Sequence, residues 1–287
     1  MSQPRVQTHN TLRVEGAESH IRPDLLAVES PLIIKIGFGA MEDRKLETLA
    51  LTMRTPGQDL ELTLGWLIGE RIIQHPEQVL RITHCEDVDK PEHRGNVVRV
   101  ELKPTVNFDL ALHRRNTLTS ASCGICGTTS IEQLNETCAP VADQLRVDAG
   151  LILRLPEIQL ASQPIFSHTG GLHAVGWFNP EGSCLAVRED IGRHNALDKV
   201  IGTAMQSGQF PLSNTLLLLS GRVGFELVQK AWRAGCEMIA AIGAPSSLAV
   251  ETAKAANMTL VGFIRGGRYN VYHGAHRILS QTSTSNV

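Results

Sequence analysis

The chain has 287 residues, of which 42% are hydrophobic and 20% charged, with a formal net charge of -2. This is the composition of a soluble globular protein, long enough for one large or two smaller cores, and its near-neutral balance gives no general attraction to nucleic acid or an anionic membrane. No run approaches about 18 uncharged apolar residues and residues 1–27 lack the apolar stretch of an export signal, so neither a membrane span nor secretion is expected and the cytoplasm is the default compartment.

In chain order, residues 1–28 read as a disordered tail, because they carry no apolar periodicity to bury. Residues 29–110 read as a small α+β domain. Its strands fall at 31–36 and 46–53, forming a hairpin, and at 79–84 and 96–102 around a polar loop; Arg54 to Asp59 breaks the hairpin and Asp59 can cap a helix from Leu60 to Ile68. Residues 111–150 hold a thiol pair, a helix from Ile131 to about Cys138, and a polar connection from Asp143.

From 151 to 278 the organisation changes to α/β. A helix at 157–162 leads through the Gly-rich turn Ser167 to Gly171 into paired strands at 173–179 and 184–190. Helices at 195–206, 225–234 and 247–256 then alternate with short apolar strands at 215–219, 238–242 and 259–264. Such alternation predicts βαβ units, a largely parallel sheet, and a ligand site in the loops at the carboxyl ends of the strands. Residues 279–287 read as a second tail.

Six cysteines (Cys85, Cys123, Cys126, Cys138, Cys184 and Cys236) in a chain without an export signal read as free thiols, ligands or catalysts rather than structural bridges. Cys123 and Cys126 form Ser122-Cys-Gly-Ile-Cys-Gly127, and three chemistries compete for them. Structural zinc needs four ligands, usually as two such pairs, and the nearby Cys138 and His113 do not make a second pair. The His-x-Glu and Pro-Cys-x-x-Cys signature of zinc deaminases is also missing, since Ser122 precedes Cys123. Reactive thiolate chemistry fits better: Thr129 with Glu132 and Ser130 with Gln133 match capping boxes, so a helix start follows the pair, and His113, Arg114 and Arg115 precede it. The spacing alone leaves disulfide exchange open beside sulfur transfer.

A charged segment, Arg188 to Lys199, occupies a strand-to-helix switch where Arg188, Arg193 and His194 suit an anion, although helix capping by His194 and Asn195 would equally explain it. Three later strand ends repeat the theme: Ser220-Gly-Arg222, Gly243 to Ser247 with Ser246, and Phe263-Ile264-Arg265-Gly266-Gly267-Arg268. Backbone N–H groups and guanidinium forks there predict a site for a large, phosphate-rich ligand.

Taken together, Met53 to Asp59, Ser122 to Gly127, His168 to Ala174, Arg188 to Lys199, Ser220 to Arg222 and Phe263 to Asn270 resemble, in that order, the formate dehydrogenase accessory sulfurtransferase family (FdhD). The resemblance implies a cytoplasmic protein, usually a homodimer, that takes sulfur from a cysteine desulfurase as a persulfide and passes it to the molybdenum bis(molybdopterin guanine dinucleotide) cofactor, bound as a substrate, for the formate dehydrogenase apoprotein. It assigns the persulfide to Cys123, leaves Cys126 as a relay, and places cofactor contacts at Phe263 to Arg268, to which the anion-binding reading adds Ser220, Arg222, Ser246, Arg188 and His194. It also implies a cytidine deaminase-like mixed sheet, flanked by helices and without that enzyme's zinc, in the carboxyl-terminal domain. Two alternatives stay open: a cofactor-binding chaperone that transfers no sulfur, and a thiol-disulfide oxidoreductase.

Overall fold

The computed structural model describes residues 3–85, 94–110 and 138–280. The expected disordered tail is corrected at once: β1 (Val6–Glu15) and β2 (Glu18–Ala27) form an antiparallel hairpin turning at Gly16, whose φ is 65°. Its residues are mostly exposed, so burial periodicity does not reveal the ten-pair backbone ladder that defines it.

The first sheet has the order β4-β3-β6-β5, built from β3 (Ser30–Phe38), β4 (Lys45–Arg54), β5 (Val79–His84) and β6 (Val97–Leu102). Strict alternation turns Leu32, Ile34 and Ile36 inward, where α1 (Asp59–Gly69) covers them with Leu62 and Leu67. Asp59 opens this helix without capping it. Gln58 takes the N-cap position, and the Asp59 carboxylate is gripped by the fully buried Arg54 at 2.8 and 3.0 Å.

The second sheet is mixed, in the order β13-β12-β11-β10-β8-β9. After β7 (Val147–Asp148), its strands are β8 (His173–Phe178), β9 (Cys184–Asp190), β10 (Leu216–Leu219), β11 (Met238–Ala241), β12 (Thr259–Arg265) and β13 (Arg268–His273). Only β10, β11 and β12 are mutually parallel; β8, β9 and β13 each pair antiparallel with a neighbour. Every residue of β10 and β11 is buried, as expected for strands covered on both faces.

On one face lies α2 (Ala149–Leu160), packing Leu151, Ile152 and Leu155 against Leu216, Leu218 and Met238. It begins inside the stretch expected to be a connection. Asp148 caps it by accepting from the N–H groups of Gly150 and Leu151, and the helix runs through Pro156, where the sequence suggested a later start. A short helix, α3 (Pro164–Thr169), replaces the first part of the expected Gly-rich turn. The opposite face carries α4 (Arg193–Gln206), α5 (Phe225–Arg233) and α6 (Ser247–Ala255), and their core is continuous with that of the first sheet. At the carboxyl end, β14 (Ile278–Leu279) pairs with β7, inside the expected second tail by one residue.

Two features weld the amino- and carboxyl-terminal units. First, α1 crosses α4 at reciprocal glycines: a Cβ on Gly65 would lie 1.9 Å from the Asp198 carbonyl oxygen, and one on Gly202 would lie 1.8 Å from that of Glu61. No side chain fits either point. Gly65→Ala should therefore lower stability by about 3 kcal/mol in urea denaturation, although the same change in an exposed helix would raise it. Second, the fully buried Asp190 accepts from the Thr55 N–H at 3.1 Å, the Gly192 N–H at 2.9 Å, Asn195 Nδ2 at 3.0 Å and Lys199 Nζ at 2.7 Å. Lys199 Nζ also donates to the Thr55 carbonyl at 2.9 Å, and Asn195 Nδ2 to that of Met53 at 2.7 Å. Two conspicuous sequence segments, Met53 to Asp59 and Arg188 to Lys199, thus meet and sew the halves together.

Candidate anion-binding edge and adjoining cavity

The three strand-end loops that the sequence singled out converge on one edge of the second sheet. The Gly243 N–H donates to the Gly221 carbonyl at 3.2 Å, the Phe263 N–H to the Gly243 carbonyl at 3.0 Å, and Val223 bridges to Pro245. Gly243 is the keystone: a Cβ there would stand 2.7 Å from the Gly221 carbonyl oxygen.

Phe263 is held at φ 56°, a left-handed conformation uncommon for a bulky residue. It lies within the irregular register between Gly262 and Arg265, where β12 bends before the tight turn at Gly266 and Gly267, whose φ values are 58° and 72°. The Arg265 guanidinium sits 5.4 Å above the Phe263 ring, in cation–π range. Arg222, Arg265 and Arg268 are all exposed here, so the edge is cationic.

Not every nominated side chain is equally available. Ile264 is buried in the core beside α2, the Ser220 hydroxyl accepts from the Ala174 N–H at 2.9 Å, and the Ser246 hydroxyl caps α6 by accepting from the Ala249 N–H at 3.2 Å. At the α4 start, Gly192 occupies the N-cap position without a side-chain cap, so His194 and Asn195 do not cap the helix. His194 Nε2 meets the Glu226 carboxylate at 2.9 Å, Arg188 Nη1 donates to the Val187 carbonyl at 3.0 Å, and the buried Nε atoms of Arg188 and Arg193 have no hydrogen-bond partner.

Beside this edge opens a cavity of about 540 Å³ between α2, α3 and the sheet, lined among others by Glu157, Phe166, Leu172, His173, Ser220 and Ile242. The size suits a heterocyclic group. His173, part of the His168 to Ala174 stretch, lies against Gly221; burial first, and then the nearby Arg193, push its imidazole pKa down, favouring the neutral ring. Arg5 was missed entirely. It reaches the seam from the stretch read as a tail, donating to Gln58 Oε1 at 3.3 Å, and no periodicity could have flagged it.

Cys123 and Cys126, with the helix expected from Ile131, lie outside the described residues. Of the remaining cysteines, Cys236 is fully buried and its thiol is pushed up to about 12 by desolvation, while partial burial also raises that of Cys184. Both are poor sources of thiolate.

The model of the FdhD/NarQ family matches residues 28–279. The chain belongs to that family. Among its relatives, the sulfur carrier protein FdhD of Nocardia farcinica is 45% identical over 272 residues, spanning 94% of this chain and 93% of its own. The protein of the same name from Streptomyces avermitilis is 41% identical over 276 residues, 95% of each chain. A solved structure from Desulfotalea psychrophila, described as a formate dehydrogenase accessory protein, superimposes with a TM-score of 0.75 at 25% identity, covering 96% of this chain and all of the other. The family match begins at the end of the hairpin, so the FdhD/NarQ unit comprises both sheets and the weld between them. Among the described residues, no helix is long and apolar enough to cross a membrane.

Proposed function

We propose that this protein is a cytoplasmic, homodimeric sulfurtransferase that takes sulfur from a cysteine desulfurase and delivers it to the molybdenum bis(molybdopterin guanine dinucleotide) cofactor destined for formate dehydrogenase. The observation that carries this reading is the near full-length identity to proteins named sulfur carrier, in a chain that holds the Cys123 and Cys126 pair. The cationic strand-end edge and its adjoining cavity support a nucleotide-bearing acceptor, because phosphates suit Arg222, Arg265 and Arg268 and a base suits an apolar pocket.

In the proposed reaction the Cys123 thiolate attacks the outer sulfur of the desulfurase persulfide. A new S–S bond forms on Cys123, the old one breaks, and the desulfurase cysteine leaves as a thiolate. Attack of the Cys126 thiolate on Cys123 Sγ would then release hydrosulfide toward molybdenum and leave a Cys123–Cys126 disulfide, which a cellular dithiol must reduce before the next cycle. Alternatively Cys126 relays the outer sulfur by accepting it. The test is an intact mass after incubation with a cysteine desulfurase and free cysteine: a gain of one reducible sulfur is expected, and an unchanged mass would refute the proposal.

The acceptor edge has its own test. Gly243→Ala forces the Gly221 loop away, and guanosine diphosphate titrated by calorimetry should bind at least about tenfold more weakly, while the protein stays folded. Unchanged binding would remove this edge from the site.

A further inference from the structure

The amino-terminal hairpin has two faces of different chemistry. Its register places Val6, Leu12, Val14, Ile21 and Leu25 on one side, with Thr8, Asn10, Ser19 and Pro23 between them, and Arg13, Glu15, Glu18, His20 and Arg22, together with Leu26 near the base, on the other. The apolar face is bare: Leu12, Val14 and Ile21 are 64, 64 and 75% exposed. The base is anchored, with the Val28 N–H donating to the Arg5 carbonyl at 2.9 Å and Ala27 beside Gly171. A two-stranded hairpin has little stability of its own in water, so an ordered arm of this length needs a surface to lie on.

A second row of exposed apolar side chains lies along β4 on the outer face of the first sheet, interrupted by Thr48 opposite Lys35. Leu46, Leu51 and Met53 of β4 are 44, 66 and 46% exposed, and the half-buried Ile33 stands opposite Leu51. Only Val28 and Glu29 separate β2 from β3, yet within one chain the arm and the row leave each other uncovered. Both strands, β1 and β4, are ten residues long.

We propose that the apolar face of the hairpin packs on the outer β3–β4 face of a second copy of the chain, and that the second copy returns the contact. Area favours this occupant over an unrelated protein. Ten-residue strands span about 33 Å and a pair of them is about 10 Å wide, so one full contact removes about 650 Å² counted over both surfaces. That is the size of an incidental contact. A two-fold exchange doubles it to about 1,300 Å², within the range of stable interfaces, and an isologous pair closes without leaving a free arm. This inference rests on the homodimer of the proposed function and not on its sulfur chemistry.

The test uses the full chain at micromolar concentration in sedimentation velocity, with persulfide loading measured on the same samples. An arm variant, Leu12→Glu with Ile21→Glu, and a row variant, Leu51→Lys with Met53→Lys, alter exposed side chains and should stay folded and loadable. Each alone should weaken self-association about 100-fold. Mixed in equal amounts they should form a 1:1 heterodimer, because one contact is then wild type and the other sets glutamates against lysines. A monomeric wild type would overturn the homodimer together with this surface. A wild-type dimer that either variant leaves intact, or variants that fail to form a heterodimer, would overturn the arm-on-row contact alone.

Discussion

Cys123→Ala is expected to abolish sulfur loading completely, leaving the mass unchanged after incubation with desulfurase and cysteine. The reason is chemical selectivity: the nucleophile must be a thiolate, and the sequence sets Cys123 after His113, Arg114 and Arg115 and ahead of an expected helix start, surroundings that stabilise a thiolate. Cys236 cannot substitute, being sealed in the core with its thiol pushed up to about 12, and burial also raises that of Cys184. Cys126→Ala should still load one sulfur but release it more slowly. The same variants, assayed for formate dehydrogenase activity in cells lacking the wild-type chain, separate the competing functions. A Cys123→Ala protein that still supports active enzyme would make the chain a cofactor-binding chaperone, and catalytic reduction of insulin disulfides by the wild type would point to an oxidoreductase.

Lys199→Met is expected to cost about 3–5 kcal/mol of stability, read as a lower urea midpoint, because it strands the fully buried Asp190 carboxylate without its cation. It also leaves the carbonyls of Thr55 and Glu189 without the Nζ donor they share, at 2.9 and 3.2 Å. Asp190→Asn should be costly for the complementary reason, since it leaves a buried ammonium. The double variant should cost clearly less than the sum, because neither charge is then stranded. Strict additivity would show that the pair does not act as a unit. The functional consequence concerns the edge: β9 and the start of α4 hold Arg188, Arg193 and His194, so loosening the weld displaces these side chains relative to the first sheet.

Much of the second sheet was legible because its strands are buried on both faces. Leu216 to Leu219 and Met238 to Ala241 are unbroken apolar runs, and amphipathic helices with turn residues separate them, so type and order follow from periodicity. The strand-end loops were legible for a related reason, since glycine with serine or arginine follows each of the three apolar runs at 215–219, 238–242 and 259–264. Periodicity did not show strand direction: β8 and β13 run against the parallel trio, and apolar content is the same either way, whereas the family resemblance implied the mixed sheet that is observed. Pro156 concealed the first two turns of α2, and the exposed hairpin carried no burial signal at all.

By itself the sequence determined the family, the α/β alternation and the residues carrying chemistry, because periodicity, turn chemistry and motif spacing are local properties of the chain. Only the tertiary structure decided what those residues touch. Asp190 and Lys199 fell inside the charged segment whose Arg188, Arg193 and His194 suit an anion, and instead join two halves of the molecule, across 135 residues in the case of Asp190 and Thr55. Gly65 and Gly202 lie inside the expected helices, and the structure makes them the points where two backbones meet. Long-range packing assigns such roles, and no window of the sequence contains both partners.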